Sequence, residues 1–331
     1  DTRARCMVID AHCDTLMALC GRSMNSAERA PRDFFMDTPG MHLDLPKLLR
    51  GGVACQVMAV FLEDNQLEHA RDVAMHMLDV FDAVLNQSKG ALKPVLAASD
   101  LASLSPPREE SGQVGMLLSL EGAEALEGSL DNLAVFYRRG VRAIGITWNR
   151  RNQFGRGCRA EGDDGLTPLG RELVEAMQDM HMIVDVAHLS DQGFHEVADL
   201  MKGPFIASHA NARSVLEHPR NLTDEQIRTI ADHGGAVGCV FVPNFVTKDP
   251  AACSIEAFLG HVDAIVRAGG IGSCAMGSDF DGYSTEFPGV LPDAGSYSLL
   301  YEALRRHGYS HSDCCRILGE NWQRVFADIL G

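Results

Sequence analysis

Eight short apolar runs, spread along the whole chain and separated by helix-period segments, constrain the fold more than any other feature of this sequence. The runs are Met7–Ile9, Val53–Phe61, Gly115–Leu120, Val141–Thr147, Met182–Val186, Pro204–Ser208, Gly235–Val242 and Cys274–Gly277. Runs of this length, rich in branched side chains, read as strands covered on both faces, where no polar alternation is needed. Between them lie helix-period segments over Asn65–Leu85, Asp131–Arg139, Thr167–Met180, Ser190–Met201, Thr223–His233 and Ser254–Ala268, with Ser296–Arg306 and Ser312–Leu330 closing the set. Thr223 opens a Thr-x-x-Gln capping pattern with Gln226. Strands alternating with helices imply parallel pairing through right-handed crossovers. Eight such units favour an α/β fold of the closed (β/α)8 TIM-barrel type over an open doubly wound sheet. We expect one domain over residues 1–331, because neither a low-complexity linker nor a short internal repeat interrupts the alternation.

Composition narrows the functional classes. Hydrophobic residues make up 46% and charged residues 22% of the 331 positions, enough to bury a full core without staples. Lys and Arg total 29 against 45 Asp and Glu, a formal charge of −16. That acidity argues against nucleic acid or an anionic membrane as partner. No apolar run approaches the ~18 residues of a membrane span. The ten cysteines show no disulfide-framework spacing and no CxxC pair. Cys55, Cys239 and Cys274 sit inside apolar runs, and Cys314 and Cys315 lie in a helix-like stretch. All five read as packed thiols of a reducing cytosol. The chain begins at Asp1, as a trimmed start would; with no signal or lipidation motif legible, the expected compartment is cytoplasmic. A homodimer is left open.

In a barrel, chemistry collects at the C-terminal strand ends. There the sequence places His12-Cys13-Asp14, Glu121-Gly122, His188, His209 and Asp279-Phe280-Asp281. Five of eight strands thus end in a metal-capable side chain. His12 and Asp14 are two apart in extended chain and share a face, leaving Cys13 to pack away from them. Imidazole and carboxylate together suit zinc. Each residue has a plainer reading alone: a polar turn for His12 and Asp14, a buried hydrogen-bonded carboxylate for Glu121, structural histidines for His188 and His209. Asp279 could instead cap a loop and Arg220 be a solvated surface arginine, though the functional reading is favoured for both; Asp281 reads as a supporting or structural carboxylate. Jointly, His12, Asp14, Glu121, His188 and His209 suffice for two metals sharing a bridge, with Asp279 left for other work. Ser103–Gly112 reads as a surface loop, and the long Gly- and Arg-rich segment Arg150–Gly165 as a loop over the site. With no GxGxxG after a strand and no phosphate loop, nucleotide binding has no support.

His12-Cys13-Asp14-Thr15, Ser119-Leu120-Glu121-Gly122, Asp185-Val186-Ala187-His188-Leu189-Ser190, Ser208-His209-Ala210-Asn211, Pro219-Arg220-Asn221 and Ser278-Asp279-Phe280-Asp281-Gly282 together resemble the membrane dipeptidase (renal dipeptidase) family of zinc dipeptidases, within the amidohydrolase superfamily. The resemblance runs from about Ile9 to Gly319-Glu320-Asn321. It implies a (β/α)8 barrel and two zinc ions per chain: one on His12 and Asp14, the other on His188 and His209, with Glu121 bridging. It implies that Asp279 is the active-site aspartate and that Arg220 holds the substrate carboxylate. The implied reaction is attack on a dipeptide carbonyl by a hydroxide between the metals, Asp279 accepting and returning the proton. Related dipeptidases tolerate a D-residue at the C-terminal position. One position departs: the mammalian enzymes carry a carbonyl-polarising histidine where Trp148 follows Thr147. Either Asn149 donates a hydrogen bond instead, or the substrate preference differs.

Two other readings remain open from the residues. The same metals and barrel could serve a lactone, a carbamoyl compound or an N-acyl amino acid, since fold alone does not decide substrate. Alternatively, metal could be a structural staple in a barrel without turnover. Arg220 favours a substrate with a free carboxylate, and the complete ligand set counts against the staple.

Overall fold

The structure is a computed structural model describing residues 6–21, 32–107 and 112–331. Its centre is a curled, entirely parallel sheet: β1 (Val8–Asp10), β2 (Val53–Phe61), β3 (Leu92–Pro94), β4 (Val114–Glu121), β5 (Val141–Gly145), β6 (Ile183–Asp185), β7 (Val237–Cys239) and β8 (Cys274–Met276). The main path runs β6-β5-β4-β2-β1-β8-β7, with β3 paired to β4 outside it. Between β6 and β7, Ile206 bridges to Asp185 and Ala207 to Val237, both in parallel sense. Register levels the functional ends: Phe61 lies beside Glu121, Glu121 beside Gly145, and Gly145 beside Asp185.

Seven of the eight expected strands are present. The eighth, Pro204–Ser208, makes only the two single bridges, because Pro204 and the tight backbone about Ser208 interrupt a ladder. Leu92–Pro94 is a strand that the sequence did not announce, being too short for periodicity to register. The helices follow the expected segments closely. Thr223 Oγ1 accepts from the Gln226 amide, and the Gln226 side chain accepts from the Thr223 amide, completing the box. Ser312–Leu330 is not one helix. It divides into His311–Cys315, a π-helical turn over Arg316–Glu320, and Asn321–Leu330. The wider turn brings Gly319 onto the Met7 carbonyl, where a Cβ would approach to 2.3 Å.

Two apolar clusters hold the sheet. One joins its outer face to the helices, with Leu78, Phe136, Leu173 and Phe258. The other fills the curl with Ile9, Cys55, Val57, Leu117, Ala143, Ile183, Ile206 and Ala275. Trp322, Val325 and Phe326 of the last helix close it beside Met7, Ala54 and Ala236, at the N-terminal ends of their strands. That end is therefore sealed by packing, and the polar residues gather at the other. Cys55, Cys239, Cys274 and Cys314 are buried free thiols, as expected. Cys315 is not: it forms a disulfide with Cys6 across 309 positions of sequence, a pairing no spacing rule reveals. Of the expected loop Ser103–Gly112, residues 108–111 lie outside the described residues. Among the described residues, no helix is long and apolar enough to cross a membrane.

Candidate active site

The candidate residues converge from separate strand ends. His12 and Asp14 follow β1, Glu121 ends β4, His188 follows β6, His209 follows the Ile206–Ala207 bridges, and Asp279 follows β8. All six are buried. His188, Asp279 and Asp281 adopt left-handed backbone with φ of 66°, 63° and 62°. Non-glycine residues rarely do so, and such strain concentrates at sites the fold over-determines.

Glu121 is the hub. Its Oε2 lies 3.3 Å from His12 Nε2, and its Oε1 lies 3.0 Å from His188 Nε2 and 3.6 Å from His209 Nε2. His12 Nε2 also stands 3.6 Å from Asp14 Oδ2 and 3.7 Å from Asp279 Oδ1. The His188 and His209 Nε2 atoms are 2.9 Å apart. His12 and His209 stack with centroids 3.8 Å apart. His12–Glu121–His209 and His12–Asp14–Asp279 each bring three ligand atoms within 4.8 Å of one another. Both His12 Nε2 and Asp14 Oδ1 are buried without a hydrogen-bond partner. Unpartnered ligand atoms in a buried pocket are costly unless something binds them. A cation satisfies them together, so the donor set fits a metal. Asp279 is thus nearer to His12 and Asp14 than a group merely left over from ligation.

The electrostatics follow from crowding. Burial opposes charge on His12, but Glu121 and Asp14 outweigh it and hold the imidazole well above its ordinary value. Burial favours a neutral Glu121, yet His12, His188 and His209 hold its carboxyl well below the usual range. Burial and neighbouring Glu121 push Asp14 up to about 6. Burial, with Asp14 and Glu121 opposite, raises Asp279 strongly. His188 falls to about 3 through burial and the Arg220 charge, and burial with the His12 charge holds His209 well below its ordinary value.

The remaining candidates surround this centre. Arg220 is buried and donates to the His209 carbonyl at 2.7 Å; its Nε has no partner. Asn149 Oδ1 lies 2.7 Å from His188 Nδ1, so its oxygen faces a histidine. Trp148 stands with its ring centroid 6.0 Å from that of His188 and 5.1 Å from Phe61, with the Arg150 guanidinium 5.0 Å above it. Cys13 turns away, its thiol on the Val57 carbonyl, as alternation requires. Asp281 accepts from Thr15 Oγ1 and the His42 amide, binding two loops together. Residues that sequence reasoning did not single out are Ser208, 2.8 Å from His209 Nδ1, and Phe61; only the register could have found Phe61.

A curled parallel sheet carrying buried His and carboxylate groups at its C-terminal ends is the setting of a metal-dependent enzyme. The family model for membrane dipeptidase (Peptidase family M19) matches residues 2–330, and the chain belongs to that family, a family of metallo-dipeptidases. Among solved structures, it is similar to the metallo peptidase dipeptidase AC at 30% identity, with a TM-score of 0.87 and 98% and 99% of the two chains covered. It is also similar to a Rhodobacter sphaeroides metallo peptidase liganded with a phosphinate mimic of the dipeptide L-Ala-D-Ala (28% identity, TM-score 0.87, 98% and 99% covered). The dipeptidase tcpJ of Claviceps purpurea is 26% identical over 87% of this chain and 69% of its own length.

Proposed function

We propose that this metallo-dipeptidase holds two divalent ions of the zinc class and cleaves dipeptides, those with a C-terminal D-residue included. The carrying observation is the convergence of His12, Asp14, Glu121, His188 and His209, with two of the ligand atoms, His12 Nε2 and Asp14 Oδ1, buried without a hydrogen-bond partner. Glu121 has one oxygen toward His12 and the other toward His188 and His209, which suits a bridging carboxylate. We read the sheet as a closed (β/α)8 barrel of one domain over residues 1–331, with the bridges at Ile206 and Ala207 standing in for the missing strand.

Bound ions would supply Lewis acidity, lowering the pKa of a water and polarising the scissile carbonyl. Asp279 takes the proton released on attack and returns it to the leaving amine. Arg220 grips the substrate's C-terminal carboxylate in the loop after His209; its unpartnered Nε supports that role. Asn149 holds His188 with its oxygen, and its amide N–H groups are the available donors toward the carbonyl. The D-residue reading draws support from the phosphinate complex of the Rhodobacter protein. We include no nucleic acid or membrane partner, and the Cys6–Cys315 disulfide counts against the reducing cytosol expected from the sequence.

The test is a panel of dipeptides with L- and D-residues in second position, each paired with its C-terminal amide and a tripeptide, with metal content assayed in parallel. Dipeptides should be cleaved, and the amides and tripeptides poorly, because they leave the guanidinium unpaired. Arg220→Lys should raise KM markedly, as an ammonium cannot reproduce the two-pronged grip. Equal rates on a dipeptide and its amide would move the substrate to another N-acyl compound or a lactone.

A further inference from the structure

His209 donates or accepts at Nδ1 toward a hydroxyl, and that hydroxyl is itself committed. Ser208 Oγ lies 2.8 Å from His209 Nδ1 and 2.5 Å from Asp185 Oδ2. Asp185 Oδ1 is occupied in turn, accepting the Ser208 and Ala187 backbone amides, each at 2.9 Å. All three side chains are buried. The Ser208 carbonyl is pinned as well: a Cβ at Gly238 or Gly277 would fall within 2.0 or 1.8 Å of it. Neither hydroxyl nor carboxylate can therefore turn to another partner.

A hydroxyl has one proton. With the carboxylate accepting at Oδ2, Ser208 donates there and has only lone pairs left for the imidazole. The proton of neutral His209 must then sit on Nδ1, leaving the Nε2 lone pair toward His188 and Glu121. We propose that Asp185 and Ser208 form a relay that fixes the His209 tautomer so that Nε2 is free to bind an ion; this rests on the two-ion reading above. Both are positioning residues and touch neither substrate nor reacting atoms. The relay also explains why Asp185 lies two residues past Ile183 at the end of β6: its Oδ1 receives the amide preceding His188, so one carboxylate steadies both histidines of that half-site. Across the sheet, Asp10 makes the same bracket with Ser278, accepting its amide at 2.8 Å and its hydroxyl at 2.5 Å. There the next residue is Asp279 and no imidazole follows, so the bracket sets backbone alone.

Asp185→Asn separates the relay from mere packing, because it preserves shape. The asparagine oxygen must stay on the two backbone amides, which places its NH2 against Ser208 Oγ. The hydroxyl then has to donate to His209 Nδ1, and the imidazole proton moves to Nε2. In metal-free protein labelled with 15N-histidine, long-range proton–nitrogen correlation should show His209 protonated at Nδ1 in the wild type and at Nε2 in Asp185→Asn. Calorimetric zinc titration should show two ions in the wild type. In Asp185→Asn, and in Ser208→Ala, one should weaken 10- to 100-fold, the usual effect of losing such a support, while the other is unchanged. A wild-type His209 protonated at Nε2, or an Asp185→Asn protein with the wild-type tautomer and both affinities intact, overturns the relay. A wild type that binds no zinc overturns the two-ion reading, and the tautomer measurement still decides the relay.

Discussion

Glu121 reaches His12 with one carboxylate oxygen and His188 and His209 with the other, so its loss should be felt by both halves of the site. Glu121→Gln should lower metal content at both positions, whereas His12→Ala should chiefly empty one; elemental analysis of the purified variants checks this. Asp279 lies 3.7 Å from His12 Nε2 yet is placed here as the proton carrier. Asp279→Asn should keep both ions and substrate affinity and lose roughly 10²–10⁴ in kcat. Loss of metal in that variant would make Asp279 a ligand, a role its membership of the His12–Asp14 trio permits.

At the scale of elements, the Arg150–Gly165 segment is a loop with internal order of its own. Arg151 grips Asp164 with two bonds of 2.6 Å, and Arg156 donates to the Asp164 and Ala160 carbonyls. The Arg151 guanidinium holds the Asp164 carboxyl down to about 2. A depressed carboxylate contributes order above its unfolded value of ~3.9 and loses it as pH falls through the folded value. Exchange of the Arg156 amide, which bonds the Gly165 carbonyl at 3.0 Å, should therefore accelerate as pH drops from about 4 to 2 after correction for intrinsic rates. Asp164→Asn should remove that step. Four of the crossover helices have starts written locally instead: Thr167, Ser190, Thr223 and Ser254 each accept an amide from their own first turn.

For the whole molecule, the Cys6–Cys315 bond joins the chain just before β1 to the helix that precedes the π-turn. Gly319 of that turn packs on Met7, so the clasp secures the strand that carries His12 and Asp14. Closing so long a loop should stabilise the fold by about 2–5 kcal/mol. Thermal unfolding with and without a dithiol reductant should show a lower Tm on reduction, and Cys6→Ser should reproduce that shift without adding to it. An unchanged Tm would mean that packing of the π-turn alone carries the junction.

The alternation of strands and helices was legible in the sequence because burial on both faces demands uninterrupted apolar runs, and helix caps are chosen within a few residues. The candidate ligands were legible for a related reason: a parallel strand–helix repeat points every C-terminal strand end the same way, so His12, Glu121, His188, His209 and Asp279 had to share one end. What the tertiary structure decided is everything that depends on two distant segments meeting. The level of Glu121 with Asp185 is a matter of register between strands. The Asp185 carboxylate that engages the Ser208 hydroxyl beneath His209 and the Cys6–Cys315 pair are likewise encounters across tens to hundreds of residues. No local propensity encodes them, because each exists only once the sheet has curled and brought its neighbours within bonding distance.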